Sequence, residues 1–146
     1  MHTGFTIPKG KVETATLPDG RSVKVVTRTV RVADREREIR GYIHENGGGF
    51  VELTAKVDKT AHVGKNAMVL EKAQVRDMAR IEGNTVIYGY AQAYDNATVS
   101  DAQLYGAVRI GGETVIKGGR FFTHTISSTE QADEYRALLE QVGDSK

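Results

Sequence analysis

The sequence predicts an all-β chain built on a single-stranded parallel β-helix, with an antiparallel β head before it and an α-helix behind it. Three observations carry this reading. A small residue, any residue and then an aliphatic one recur every six positions from Gly49 to Val99. After one missing residue the same pattern resumes and runs to Ile116. Turn-forming residues fall between the units at matching intervals.

Period six belongs to no helix. Within a unit the small and aliphatic members sit two apart, which is the alternation of a strand that points both side chains the same way. The small members run Gly49, Ala55, Ala61, Ala67, Ala73, Ala79, Thr85, Ala91 and Ala97, each followed two positions on by an aliphatic partner such as Val51, Val57, Val63 or Val69. Ala102–Leu104, Val108–Ile110 and Thr114–Ile116 complete twelve units. The intervening residues turn corners, where Gly, Asn and Asp accept positive-φ backbone. Three six-residue sides close a triangular coil of 18 residues, so twelve units give about four coils, stacked as parallel strands about 4.8 Å apart.

The head, residues 1–47, reads as antiparallel strands. Pro18-Asp19-Gly20 is a turn signal between Lys11–Leu17 and Arg21–Thr27. Arg28–Ala33 and Glu38–Glu45 are further strands, separated by a charged stretch. The β-helix is placed at 48–122. The tail, 123–146, is a linker and a helix. Ser127 with Glu130, or Ser128 with Gln131, offers a capping box, and Ala132, Tyr135, Leu138, Leu139 and Val142 share one face. A four-coil prism has open strand edges at both ends, and covering them is the structural task of head and tail.

The strings Val63-Gly64-Lys65-Asn66-Ala67-Met68-Val69 and Ile81-Glu82-Gly83-Asn84-Thr85-Val86-Ile87 resemble hexapeptide repeats. That resemblance implies a left-handed coil. More narrowly, Gly48-Gly49-Phe50-Val51-Glu52 ahead of strings such as Ile87-Tyr88-Gly89-Tyr90-Ala91 is similar to a bacterial and phage group. In that group a short β-rich head ends in a Gly-Gly-Phe-Val-Glu string before the repeats begin. The resemblance covers residues 48–119. It implies a phage-encoded protein, either a virion component or an inhibitor of a host protein, found in the cytoplasm of a bacterial host or in the virion.

Composition excludes several chemistries. The chain has 146 residues, 39% hydrophobic and 27% charged, with a net charge of +1 and no cysteine. A thiol nucleophile, a disulfide scaffold and a Cys-ligated metal are therefore out. No apolar run is long enough to span a bilayer, and residues 1–20 carry no signal-peptide core. Hexapeptide-repeat acyltransferases use a histidine base, and His62 is the one histidine within the twelve units. It reads as a solvated surface residue, and no long loop interrupts the coils to build an acyl-donor site. A three-histidine zinc centre cannot be assembled from one coil histidine per chain. Gly111-Gly112 and Gly118-Gly119 are corners, not phosphate cradles, since no helix follows them directly. Asp95, Asp101, Asp77 and Glu71 are dispersed over corners. The arginines Arg28, Arg31, Arg35, Arg37 and Arg40 alternate with acids and read as a solvated strand face rather than a nucleic-acid surface. No catalytic residue, metal or cofactor is assigned.

The informative feature is on the outside of the prism. Residues flanking each inward aliphatic point outward, and units three apart stack on one face. On the first face these include Phe50, Met68, Leu70, Val86, Tyr88 and Tyr105, whereas the other two faces are mostly polar. Burial of such side chains is worth about 1.5–3 kcal/mol each, so something covers the stripe. The occupants are the chain's own head or tail, a second copy in a dimer or trimer, or another macromolecule. The reading favours self-association, with the stripe partly shared with the tail. The expected function is a non-catalytic rigid binding or structural module acting on protein, and the competing class is a hexapeptide-type acyltransferase.

Overall fold

The computed structural model describes residues 13–32 and 34–144, with side chains to residue 138. Its centre is a parallel β-solenoid of about four turns whose strands stack into three sheets. Every small and aliphatic member of the twelve units from Ala55 onward is buried, including Thr85 and Thr114. The two threonines each donate a hydroxyl hydrogen bond to a carbonyl three residues back, Glu82 and Gly111, at 2.7 Å, which lets a polar side chain enter an aliphatic core.

Register follows the repeat. Phe50 pairs with Met68, and Met68 with Val86, each 18 positions on. After the missing residue Val86 pairs with Gln103, 17 positions on, and Gln92 with Arg109. Two further sides, Arg120–Phe121 and Thr125–Ile126, extend the coil past the twelve units. Phe121 and Ile126 fill the core there.

Corners explain where the acids sit. Glu71, Asp77, Asp95 and Asp101 all have positive φ, between 54° and 60°. Left-handed backbone costs an ordinary residue about 1–2 kcal/mol. Here the carboxylates offset it by accepting backbone N–H groups from a neighbouring coil, Asp101 from Asn84 of the coil before and the others from the coil after. Asp58 accepts from Asp77, Asp77 from Asp95, and Asp95 from Gly112, at 2.9–3.0 Å. Glu52 accepts from Glu71, and Glu71 from Gly89. Of the dispersed acids of the sequence, Glu71, Asp77 and Asp95 thus belong to two ladders that stitch corner to corner.

Head and tail close the two ends. The head has a small hairpin, β1 (Thr14–Thr16) and β2 (Ser22–Lys24), and a long one, β3 (Val26–Val32) and β4 (Arg35–Ile43). The ends expected at Lys11 and Ala33 lie outside the described residues. β4 pairs antiparallel with β5 (Phe50–Glu52), the first strand of the solenoid, so the first face continues into the head as one seven-stranded sheet. Leu17 and Tyr42 plug the top of the core. The remaining top edges are satisfied one by one. Arg21 donates to the Val57 carbonyl at 2.7 Å, and the Asn46 carbonyl accepts from the Val63 N–H at 3.0 Å.

At the bottom, α1 (Thr129–Asp144) lies against the last strands of all three sides. Ser128 caps it: its Oγ accepts the Gln131 N–H, and the Gln131 side chain accepts the Ser127 N–H. Ala132 and Tyr135 are buried, and the Tyr135 hydroxyl accepts both the Phe122 and Thr123 N–H groups at 3.2 Å. Leu138, expected on the buried face, is instead 60% exposed. The bottom of the prism is narrow enough for Ala132 and Tyr135 to fill. Leu139 and Val142 lie outside the described side chains.

Candidate functional site

The stripe of the first face divides into two halves with different fates. In the upper half Phe50 and Leu70 are fully buried, under Val30, Val32 and Ile39 of the β3–β4 hairpin. The hairpin leaves the sheet edge and folds back over the outward side of its own face. Gly41 makes that possible: a Cβ there would lie 2.8 Å from the Phe50 ring and 2.2 Å from the Val51 carbonyl oxygen. Arg28 sits over the Phe50 ring at 4.9 Å. Arg37 bridges Glu52 and Glu71 at 3.5 and 3.3 Å. The alternating arginines of the head are therefore partly clamps on the solenoid. The cover of this upper half is the head, one of the occupants the sequence left open, rather than a second copy or the tail expected to share the stripe.

Met68, Val86 and Tyr88 are half-buried along the edge of this cluster. Below them the face changes character. Tyr88 and Tyr105 stack with ring centres 5.2 Å apart and planes 9° from parallel. Tyr105 stacks in turn on Phe122 at 5.5 Å and 23°. Tyr135 of α1 closes the column edge-on to Phe122, at 6.1 Å. One ring per coil gives a ladder whose spacing is set by the coil itself. The inner rings spend their flat sides on each other, so the column presents edges and hydroxyls outward. Burial, and secondarily the neighbouring Tyr105, raises the Tyr88 phenol above its ordinary pKa, so it stays neutral. No hairpin reaches this half, and Phe122 is 39% exposed.

Phe122 was missed from the sequence because the repeat count stopped at Ile116. Its signal was present: Tyr88, Tyr105 and Phe122 are evenly spaced 17 apart.

The other sequence candidates do not converge. His62 is half-buried, with Nδ1 3.4 Å from the Asn46 side-chain oxygen, beneath the loop leading into β5. His44, unremarked in the sequence, is buried beside it and bonds through Nε2 to the Ala61 carbonyl at 2.7 Å. Arg76 and Arg109 of the second face both lie over the Tyr94 ring, at 5.4 and 5.6 Å. Among the described residues no group of three or more His, Asp or Glu is placed to hold a metal ion, and no helix is long and apolar enough to cross a membrane. No family model, curated protein or solved structure matches the chain.

Proposed function

We propose that the chain is a non-catalytic, rigid protein-binding module. Its contact surface is the lower half of the first face, centred on Tyr88, Tyr105 and Phe122. One observation carries the reading. The head covers Phe50 and Leu70 completely, whereas the aromatic ladder directly below is only partly covered, with Tyr88 and Tyr105 half-buried and Phe122 39% exposed. Stacked coils hydrogen-bonded along their length make the ladder a preformed surface that loses little entropy on association. Tyr and Phe enrichment suits a protein contact.

The six-residue period and its glycine corners support placing the coil with left-handed hexapeptide-repeat proteins. The Gly48–Glu52 string supports the phage group within them, as a virion component or an inhibitor of a host protein, in a bacterial cytoplasm or a virion. The partner is a second copy, in a dimer or trimer, or another protein chain.

Light scattering tests the self-associating form. Wild type is expected as a dimer or trimer, and Tyr105→Ser with Phe122→Ser as a folded monomer with an unchanged circular dichroism spectrum. Unchanged mass in the double variant, together with a thermal shift of several degrees on adding acyl-coenzyme A, would replace this reading with the acyltransferase.

A further inference from the structure

The lower end of the contact face opens into a cleft of about 590 Å³ between the last coil and α1. Tyr105 and Phe122, the foot of the ladder, form its apolar wall. The corner Gly118–Gly119 forms its floor, with φ of 83° and 97°. At Gly119 a Cβ would sit 3.1 Å from Arg136 Nε and 3.3 Å from the Phe121 ring, so the missing side chain is what lets the guanidinium cross the floor. Arg136 is fixed there. Its Nη2 donates to the Lys117 and Gly118 carbonyls at 3.3 and 2.7 Å, and its Nη1 lies 3.6 Å from Asp133. Lys117 and Arg120 complete the rim. Both are exposed, and among the described residues neither enters an ion pair and no carboxylate lines the cleft.

We infer that this cleft binds an acidic protein segment carrying one apolar anchor side chain. The inference rests on the lower first face being a protein-contact surface, and it names the chemistry of the partner. Two exposed cations with no ion-pair partner among the described residues, beside a half-bound guanidinium, call for carboxylates, because complementary charge steers encounter and fixes register. The volume suits one anchor, being within the range of about 300–1,000 Å³ found for ligand pockets. The ladder decides against a nucleobase or a sugar. Its ring faces are already occupied by neighbouring rings, so it offers edges that pack against an aliphatic or aromatic side chain rather than a stacking platform.

The test uses the full chain, ¹⁵N-labelled, and four small probes followed by amide chemical shifts. 3-Phenylpropionate, which joins a carboxylate to an apolar ring, is expected to give saturable shifts at Gly118, Gly119 and Tyr105. Phenethylamine, with the same ring and opposite charge, and acetate, with the charge alone, are expected not to saturate. Arg120→Glu should weaken 3-phenylpropionate by about tenfold, whereas Arg109→Glu on the second face should leave it unchanged. Saturation by phenethylamine at the same amides, tighter binding of inorganic phosphate, or an unaltered titration in Arg120→Glu would overturn the assignment. If Tyr105→Ser with Phe122→Ser still abolishes association while the titration fails, the acidic-segment inference falls alone and the contact face stands.

Discussion

His44 shows how much one residue can report on the head–solenoid junction. It is 1% exposed, and its Nε2–H donates to the Ala61 carbonyl, which leaves Nδ1 as a buried lone pair with no partner among the described residues. Burial is the main cause holding its pKa below the usual 6.5; the Ala61 hydrogen bond opposes it, as does Glu45, while Arg21 and His62 add to the lowering. The unfolded imidazole takes up its proton near 6.5 and the folded one only at lower pH. Stability is therefore full above about pH 6.5 and falls as pH drops toward the folded value, because the unfolded state binds more protons in that interval. Melting temperature should decline for wild type between about pH 7.5 and 5, and His44→Gln, which keeps a donor for Ala61 but cannot titrate, should decline less over the same range. Equal slopes would remove His44 from the account. Nothing in the sequence marked this residue. It lies before the repeats, and its burial follows from where the Glu45–Gly49 loop lands.

At the scale of elements, the solenoid needs its lids. Tyr135 serves two N–H groups of the last coil with one hydroxyl while its ring stacks on Phe121 at 5.2 Å. Tyr135→Phe keeps the ring and removes the acceptor, and should lower unfolding free energy in urea by about 1–3 kcal/mol. Leu138→Asp, on the exposed side of the same helix, should stay within about 0.5 kcal/mol of wild type. A reversed order would mean that α1 packs by its other face. The repeats themselves were legible because each inward position tolerates only a small or an aliphatic residue, so the prism writes its period into the chain. The last sides were not, because Phe121 and Ile126 follow Ile116 at steps of five rather than six, and His124 stands at the small position before Ile126. The capping box was legible down to the Ser128–Gln131 alternative. The hairpin cover was not. Val30 and Ile39 stand between polar or charged residues as in any half-exposed hairpin, and alternation states which side is apolar but not which surface that side meets.

For the molecule as a whole, the head and tail leave one part of one face unfinished. Both open ends are capped, the acid ladders are satisfied, and the upper stripe is closed under the hairpin. What stays partly uncovered is the column Tyr88–Tyr105–Phe122 and the cation-rimmed cleft at its foot. The apolar stripe was legible as a feature needing a cover, and half of it proved to be internal packing. Only three-dimensional placement of the hairpin separates the two halves. We propose that this less covered half is a protein-contact surface. Its most direct test is photo-cross-linking from a benzoyl-phenylalanine placed at Tyr105, compared with the same group at Tyr94 on the second face, in concentrated purified protein and in extract of the producing cells. A discrete protein adduct is expected from position 105, either a covalent oligomer of the chain or a band of one other partner, and none from position 94. Absence of any adduct from position 105, or equal adducts from both positions, would contradict it.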